Sequence, residues 1–413
     1  MFMKTHKRIK IIAILIVVML CMSFAVSALA AGNLTRQLAA TFEVNGNPVS
    51  IYIDGTKLTA KDVNGTVVEP FVVDGTTYIP VRAVSEAFGK TVSWDQDSAS
   101  VYIGKQPAVD REPSDFKVTT LGTGAPPPEM ERFGPATLVE VNGQTLLFDA
   151  GRGVMQRLAE IGVGESKIDM VFLTHLHSDH VIGLPDLFLM GWMPGAYGNR
   201  QASFKITGVE GTEDMMDHLK LAYAADIEIR MNDGELKESW VEIEATEFSQ
   251  DGVVYEKDGV TVTAFENYHG DAIKPSYGYR IDYDGRSVVI SGDTKYSENL
   301  IKYSTGVDLL IHTVAAANEE LLQQDTAAAE KARIILAHHT PPEDAAKVFN
   351  ETNPKLAVFT HMVLISTDMK YSKPTQESIV ESTRAAGYTG PLEIARDLMS
   401  FEIGETVIVV PYN

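Results

Sequence analysis

The stretch VFLTHLHSDHVIGLPD, residues 171–186, places four strong metal-binding side chains within six positions. An apolar run, residues 170–173, leads directly into them. On an extended or tightly turned loop, side chains two positions apart project to the same side, so the first two histidines can share one metal ion while the other two ligands face a second position. A lone histidine is usually a surface residue or a satisfied core residue, but this density after a buried strand predicts a metal site. The four residues are His175, His177, Asp179 and His180.

Three further candidate ligands stand at the ends of predicted strands. His269 follows VTVTAFENY, Asp293 lies in SVVISGDT, and His361 lies in LAVFTHM. A rigid sheet can aim a side chain at the tip of a strand, where functional residues are common. The loop and these three positions together predict a dinuclear site with seven ligands. His218, on a predicted helix, would be a ligand only if His269 were not.

The first thirty residues are typical of a secretory signal peptide. Four basic residues precede an uncharged apolar run, residues 11–26, and Ala28-Leu29-Ala30 supplies the small residues of a cleavage site. The alternative is an uncleaved membrane anchor, but the run is short for a span. Cleavage of residues 1–30 predicts an exported protein that is secreted or associated with the cell envelope. It would also remove Cys21, the only cysteine, so any metal site must use histidine and carboxylate ligands.

The charge balance is strongly acidic, although the content of 45% hydrophobic and 22% charged residues is normal for a globular protein. The formal net charge is −21, and loss of a leader with four basic and no acidic residues would take it to −25. Such a surface repels nucleic acid unless a local basic patch exists, and no run of Lys and Arg supplies one. We therefore expect no nucleic-acid partner.

The length of 413 residues exceeds an ordinary single core and predicts two domains. Residues 41–104 alternate strand-like stretches with Asn-Gly and Asp-Gly turns and include one amphipathic helix. Within them, VVDGTTYIPVRAVSEAFGKTVSWDQDSASVYIG resembles the copper amine oxidase N-terminal, or stalk, domain of exported bacterial proteins. The resemblance implies a small β-rich α+β domain that acts as a spacer or contacts the cell envelope. No histidine lies in residues 41–104, so we predict no copper there, and residues 105–115 are predicted to form a polar linker.

From Phe116 onward, strand-like and helical stretches alternate to about residue 410, which predicts layered α/β structure around two sheets. Here HLHSDH resembles the H-x-H-x-D-H motif of the metallo-β-lactamase fold family. The resemblance implies an αββα sandwich over residues 116–413 and two divalent metal ions, with Zn²⁺ expected and Mn or Fe as alternatives. Carried over by position, it assigns His175, His177 and His269 to the first metal, Asp179, His180 and His361 to the second, and Asp293 to both.

Two longer motifs are similar to the ribonuclease Z-like and arylsulfatase-like groups of that family. They are LGTGAPPPEMERFGPATLVEVNGQTLLFDAGRG and AHHTPPEDAAKVFNETNPKLAVFTHM. The resemblance makes His338 a catalytic residue, either a general acid for the leaving oxygen or a stabiliser of the transition state, with His339 as the adjacent alternative by spacing. In the mechanism that we expect, Asp179 orients the attacking hydroxide besides binding metal. These groups usually carry a His-Glu pair whose carboxylate orients the loop histidine. Here Thr313 follows His312, so this relay is weakened or replaced.

The spacing of the ligands bears on the substrate. Ribonuclease Z carries a Gly- and Pro-rich arm for tRNA between the third histidine ligand and the bridging aspartate, but here the 24 positions from His269 to Asp293 are almost filled by two strands.

The arylsulfatase-like group is also similar through residues 183–200. The aromatic and thioether side chains of that segment would either line the site above the metals or pack in the core. Two basic side chains would either bind an anionic substrate or form ion pairs with nearby carboxylates. These residues are Trp192, Met193 and Tyr197, and Arg132 and Lys274.

We therefore expect an exported, dinuclear metal-dependent hydrolase that cleaves a small anionic ester through a metal-bridging hydroxide and is arylsulfatase-like. One alternative is a phosphodiesterase or ribonuclease Z-like endonuclease. Another alternative is a surface binding protein whose hydrolase domain is degenerate. The complete set of seven candidate ligands argues against such degeneracy. Proteins of these groups are often dimers, so a homodimer is a further expectation from the resemblance.

Overall fold

The computed structural model describes residues 49–412 apart from residues 54, 62–66, 74–75, 91, 96–99 and 105–113. The predicted signal peptide at residues 1–30 lies outside the described residues, as does nearly all of the predicted linker. Within the described part, none of the helices combines the length and the apolar character that a membrane span requires.

The chain divides into two compact units, with the main boundary after Val84. The first unit holds two antiparallel hairpins, β1 (Ile51–Ile53) with β2 (Thr56–Leu58) and β3 (Phe71–Val73) with β4 (Thr76–Tyr78), and the start of helix α1 (Val81–Ala87). The rings of Phe71 and Tyr78 stack across the second hairpin with their centroids 5.1 Å apart. The second unit begins within α1 and includes a third antiparallel hairpin, β5 (Val92–Asp95) with β6 (Ser100–Ile103).

Strands and helices alternate through the remainder of the second unit. The strands are β7 (Phe116–Gly122), β8 (Ala136–Val141), β9 (Gln144–Phe148), β10 (Met170–Phe172), β11 (Phe204–Val209), β12 (Ile243–Phe248), β13 (Gly252–Lys257), β14 (Val260–Glu266), β15 (Tyr277–Tyr283), β16 (Arg286–Ile290), β17 (Leu309–Ala317), β18 (Leu356–Ile365), β19 (Leu392–Ile394), β20 (Met399–Ile403) and β21 (Val407–Val410). The helices are α2 (Val154–Glu160), α3 (Ser178–Val181), α4 (Leu184–Gly191), α5 (Thr212–Ala222), α6 (Ala224–Asn232), α7 (Glu298–Ser304), α8 (Glu319–Leu322), α9 (Ala327–Leu336), α10 (Pro342–Thr352) and α11 (Gln376–Ala385).

These strands form two mixed sheets. The first has eight strands in the order β12-β11-β10-β9-β8-β7-β20-β21, and the second has seven in the order β13-β14-β15-β16-β17-β18-β19. Strands β9 to β12 are parallel in the first sheet and β16 to β19 are parallel in the second, whereas the other neighbours pair antiparallel. Parallel strands need covered faces, which explains why β17 and β18 are almost wholly buried apolar runs.

Three buried clusters define the layers. The central cluster joins the facing sides of the two sheets, with Phe148 and Phe172 from the first sheet packed against Tyr279 from the second. A second cluster joins the outer face of the first sheet to α2 and α4, and a third joins the outer face of the second sheet to α10 and α11. Each fully buried large apolar side chain contributes about 1.5–3 kcal/mol. The layers are therefore helix, sheet, sheet, helix, and the predicted α/β sandwich is confirmed.

Candidate metal centre

The seven predicted ligands converge, six of them after the ends of strands; the prediction that His361 stands at a strand end is wrong, because β18 continues to Ile365. His175 and His177 lie in the loop after β10, and Asp179 and His180 lie in α3, which continues that loop. His269 follows β14, Asp293 follows β16, and His361 lies within β18. The candidate ligand atoms fall into two groups, and the atoms of each group lie within 4.8 Å of one another. The groups are His175, His177, His269 and Asp293, and Asp179, His180 and His361.

The first group is a tight cluster of imidazole nitrogens. Nδ1 of His177 lies 3.0 Å from Nε2 of His175 and 3.4 Å from Nε2 of His269. Nε2 of His269 lies 3.6 Å from Oδ2 of Asp293. Three nitrogens and a carboxylate oxygen at these separations fit the ligand types that Zn²⁺ takes.

Asp293 also reaches the second group. Its Oδ2 lies 3.2 Å from Nε2 of His361 and 3.6 Å from Nε2 of His180. Oδ2 of Asp179 lies 3.6 Å from the same His361 nitrogen and 3.7 Å from the His180 nitrogen. The carboxylate of Asp293 therefore stands between the two groups, as expected of a residue that bridges two ions.

Hydrogen bonds on the far side of four imidazoles fix which nitrogen faces inward. Nδ1 of His180 bonds Oδ2 of Asp149 at 2.7 Å, and Nδ1 of His175 bonds Oγ1 of Thr174 at 3.0 Å. Nδ1 of His269 and Nδ1 of His361 each bond a backbone carbonyl at 2.7 Å, those of His338 and Gly124. A second partner of this kind orients a metal-binding histidine and keeps the inward nitrogen free.

The inward atoms of the site include polar atoms with no hydrogen-bond partner. Oδ2 of Asp179, Nε2 of His180 and Oδ1 of Asp293 are buried and lack one. Unpaired buried polar atoms are costly, and native proteins leave few of them. Their presence among converging histidines and carboxylates fits divalent metal ions, which would use these atoms as ligands.

Electrostatics favour positive charge at the second group. Burial lowers the pKa of His175 well below 6.5. Burial acts in the same direction on His180 and His361, but Asp149 and Asp293 outweigh it at His180, and Asp293 outweighs it at His361, so both pKa values are raised. These two histidines in turn hold the pKa of Asp293 well below its usual range despite its burial. An ionised carboxylate in a buried pocket requires compensating charge, which a divalent ion would supply.

Asp149 is a further residue of the candidate centre, which the sequence did not predict. It directly follows β9 and is buried, and its backbone has a φ of 58°, in the left-handed region. Besides His180, its carboxylate accepts the backbone N–H of Thr174 at 2.8 Å and the hydroxyl of the same residue. The available signal was a carboxylate directly after the buried strand in TLLFDAG.

His361 owes its position to a β-bulge. In the pairing of β17 with β18, Thr313 lies opposite Thr360, but the next pair is Val314 with Met362, so His361 is the extra residue. Its φ of 41° is uncommon for a residue with a side chain. Bulges of this kind re-aim a side chain next to an active site. Here the bulge turns Nε2 of His361 toward the carboxylate of Asp293.

The two loop histidines occupy different positions. His339 is buried, and its Nε2 lies 3.5 Å from Oδ2 of Asp293. Its Nδ1 bonds the carbonyl of Ile335 at 2.7 Å, so a carbonyl of α9 orients it. His338 is half-buried beside His269, with ring centroids 5.2 Å apart, and its backbone carbonyl is the one that holds His269. Thr313 bonds the carbonyl of Gly292 at 3.3 Å.

The other residues singled out from the sequence do not join the two groups. His218 is exposed on α5 and bonds the carbonyl of Asp214. Trp192 is buried against Phe188, with ring centroids 4.8 Å apart, which agrees with the core alternative, whereas Tyr197 is exposed. The remaining three have local partners: Met193 packs on the cluster behind the first sheet, Arg132 bonds Thr123 and the carbonyl of Ala395, and Lys274 pairs with Asp271.

Two solved structures share the fold of the second unit. The metallo-beta-lactamase fold protein YhfI from Bacillus subtilis has a TM-score of 0.53 at 19% identity, over 70% of this chain and 99% of that one. Human tRNase Z, short form, has a TM-score of 0.51 at 22% identity, again over 70% of this chain and 99% of that one. At these identities the likeness concerns the fold alone.

Sequence relationships identify the family. The model described as Beta-lactamase superfamily domain matches residues 144–362, more than half of the chain. The model described as Copper amine oxidase N-terminal domain matches residues 33–103, in agreement with the resemblance noted there. The ribonuclease Z of Mycobacterium bovis (strain BCG / Pasteur 1173P2) is 33% identical over 288 residues, which cover 70% of this chain and 98% of the relative.

The exclusion of nucleic acid on grounds of charge is wrong, because a relative aligned over nearly its whole length is a ribonuclease. Net charge sums every side chain, whereas recognition depends on the potential near the site, where two divalent ions would add four positive charges. The chain belongs to the ribonuclease Z family within the beta-lactamase superfamily of hydrolases.

Proposed function

We propose that this protein is a metal-dependent phosphodiesterase that cleaves RNA. The observation that carries the proposal is the pair of ligand groups joined by Asp293, with a further buried histidine, His339, aimed at the same carboxylate. The sequence relatives also support the proposal, because a protein that is 33% identical to this chain over nearly its own whole length is named ribonuclease Z. The finer expectation of an arylsulfatase has no such support.

The proposed cofactors are two divalent ions, Zn²⁺ first, with Mn or Fe as alternatives. When bound, they would supply a water of lowered pKa and offset the negative charge of the phosphodiester. His175, His177 and His269 would hold the first ion, Asp179, His180 and His361 would hold the second, and Asp293 would contact both.

The side chains of the chain itself would then divide the proton transfers. With Oδ2 of Asp179 on the second ion, the other oxygen of its carboxylate could accept a hydrogen bond from the attacking water and orient it. His338 and His339 are the candidates to protonate the leaving oxygen. His339 has the better geometry, because its Nε2 points to the carboxylate between the two groups and its Nδ1 is fixed on a backbone carbonyl.

The test compares three substrates on the purified full chain after loading with Zn²⁺ or Mn²⁺. They are bis-p-nitrophenyl phosphate, p-nitrophenyl sulfate and a single-stranded RNA. We expect turnover of the diester and the RNA, and loss of both by at least about a hundredfold in Asp293→Ala. His218→Ala changes an exposed histidine outside both ligand groups and serves as the control. Turnover of the sulfate ester in preference to both phosphodiesters would overturn the proposal in favour of the arylsulfatase.

Export is a separate proposal that rests on the leader at residues 1–30 alone. N-terminal sequencing of protein recovered from the culture medium or the cell envelope tests it. A chain that begins after Ala30 would agree with cleavage, whereas full-length protein confined to the cell interior would contradict it.

A further inference from the structure

We infer that Tyr268, Lys274 and Lys295 form a subsite that binds one nucleotide of a single-stranded nucleic acid beside the metal centre. In this subsite the base stacks on the tyrosine ring and the phosphates meet the two ammonium groups. The inference rests on the proposed function, because it names where the RNA substrate of that site would be gripped.

The subsite is tied to the metal centre through the backbone. Tyr268 immediately precedes His269, so their Cα atoms are about 3.8 Å apart. Lys295 lies two residues after Asp293, and its backbone N–H donates to the carbonyl of Tyr268 at 2.8 Å. Two candidate metal ligands therefore hold the tyrosine and one of the lysines, which places the subsite at the edge of the centre.

The three side chains have the composition that single-stranded nucleic acid favours. The Tyr268 side chain is 38% exposed. Nζ of Lys274 lies 5.8 Å from the ring centroid, and Nζ of Lys295 lies 5.7 Å from it. Non-specific binders of single strands combine aromatic platforms for bases with cations that follow the backbone, and this cluster offers both within one nucleotide's reach.

Asp271 lies between Tyr268 and Lys274 in the sequence and faces this cluster. Oδ1 of Asp271 lies 3.7 Å from Nζ of Lys274, and both side chains are largely exposed. Exposed ion pairs of this kind contribute little and are screened by salt. A phosphodiester, which carries one negative charge as the carboxylate does, can therefore replace Asp271 as the partner of Lys274.

Three other lysine–aromatic contacts in the described residues are less suited to this role. Lys370 lies over Tyr371, ten positions from the nearest candidate ligand in sequence. Lys302 lies over Tyr303, but that ring already stacks on Phe265 with centroids 4.9 Å apart. Lys237 lies over Trp240, just before β12, which is an edge strand of the first sheet. None of these contacts adjoins a candidate metal ligand in sequence, so Lys237 provides a matched control.

The experiment measures binding and turnover separately on the metal-loaded full chain. Binding uses fluorescence anisotropy with a labelled, phosphorothioate-substituted single-stranded RNA that resists cleavage, and turnover uses bis-p-nitrophenyl phosphate. We expect Tyr268→Ala to weaken RNA binding about tenfold, because stacking on one base is lost. Tyr268→Phe should bind as the wild type does, because the aromatic ring is kept. Diester turnover is measured beside binding to show whether the metal centre of each variant is intact.

The lysines are tested by salt dependence. The double variant Lys274→Gln, Lys295→Gln should reduce the slope of log affinity against log salt by about 1.4, since each lost phosphate contact on a single strand removes about 0.7. Lys237→Gln should leave the slope unchanged. Equal RNA binding by wild type and Tyr268→Ala, or no RNA binding by the wild type, overturns the inference. Failure of the wild type to hydrolyse any phosphodiester would instead count against the proposed function, because binding is read without cleavage.

Discussion

Asp149 connects separate parts of the candidate metal centre through one carboxylate. It accepts Nδ1–H of His180 at 2.7 Å and the backbone N–H of Thr174 at 2.8 Å. Asp149→Asn keeps the size of the side chain but removes the negative charge that strengthens the hydrogen bonds from both donors. We expect the affinity of the Asp179, His180 and His361 group for Zn²⁺ to fall about 10–100-fold, since the imidazole of His180 loses its charged partner. Titration of the metal-free protein in competition with a chromophoric chelator measures this affinity.

Asp169→Asn is the matched control for that substitution. The Asp169 carboxylate also accepts a backbone N–H, that of Thr145 at 2.9 Å, but its other partner is the exposed Lys257. We expect this variant to bind two ions as the wild type does. Equal Zn²⁺ affinity in both variants would contradict the role given to Asp149.

The two loop histidines should respond differently to removal. His339→Ala deletes the imidazole whose Nε2 lies 3.5 Å from Asp293, whereas His338→Ala deletes a half-buried ring and leaves the backbone carbonyl that holds His269. We expect kcat for bis-p-nitrophenyl phosphate to fall about 10²–10⁴-fold in His339→Ala and distinctly less in His338→Ala. Metal content, measured by atomic emission, should stay at two ions in both. The reverse order of the two losses would make His338 the proton donor, as the sequence predicts.

At the scale of elements, a sequence can reveal the ligands that follow the end of a strand. The buried strands before His175 and Asp293 appear as apolar runs, so the sequence predicted both positions. The bulge at His361 and the left-handed backbone of Asp149 were not predictable, because both depend on how distant strands pair. The orientation of His339 by Ile335 was also hidden, since it follows from where α9 ends.

Close backbone packing near the centre predicts a difference between Gly122, the last residue of β7, and Gly143, in the turn between β8 and β9. A Cβ on Gly122, at the end of β7, would lie 1.9 Å from the carbonyl oxygen of Gly134, whereas a Cβ on Gly143 would meet nothing within 4 Å. Gly143 has a φ of 72°, so Gly143→Ala should cost only about 1 kcal/mol. Gly122→Ala should cost about 3 kcal/mol or more, because backbone must move. Urea denaturation followed by circular dichroism measures both, and equal losses would contradict the packing argument.

At the scale of the whole molecule, the charge of −21 illustrates what composition cannot reveal. No run of basic residues marks this surface in the sequence, because the relevant lysines are not neighbours along the chain. Lys274 and Lys295 are 21 positions apart, yet both approach the ring of Tyr268. Local potential depends on such convergence, which only the fold produces.

The ribonuclease Z relative aligns with 70% of this chain but with 98% of its own length, so relatives of this kind lack a counterpart for much of the remaining sequence. We therefore expect a chain that begins at Ser114 to fold, to bind two ions and to hydrolyse bis-p-nitrophenyl phosphate at the rate of the full chain. Ser114 must be kept, because its hydroxyl donates to the carbonyl of Ile403 at 2.8 Å and accepts from the N–H of Phe116. Asp115 must also be kept, because it bonds Arg286 at 2.7 Å.

A chain that begins at Lys117 is the contrast, since it loses these anchors and the buried Phe116. It should unfold at a lower temperature than the chain from Ser114, and loss of the Phe116 side chain alone removes about 3–5 kcal/mol. Differential scanning calorimetry and metal analysis of the two truncated chains beside the full chain decide the matter. If the chain from Ser114 failed to retain metal or lost most of its diester turnover, the preceding residues would be needed for the catalytic fold, and the relatives would be a poor guide to its limits.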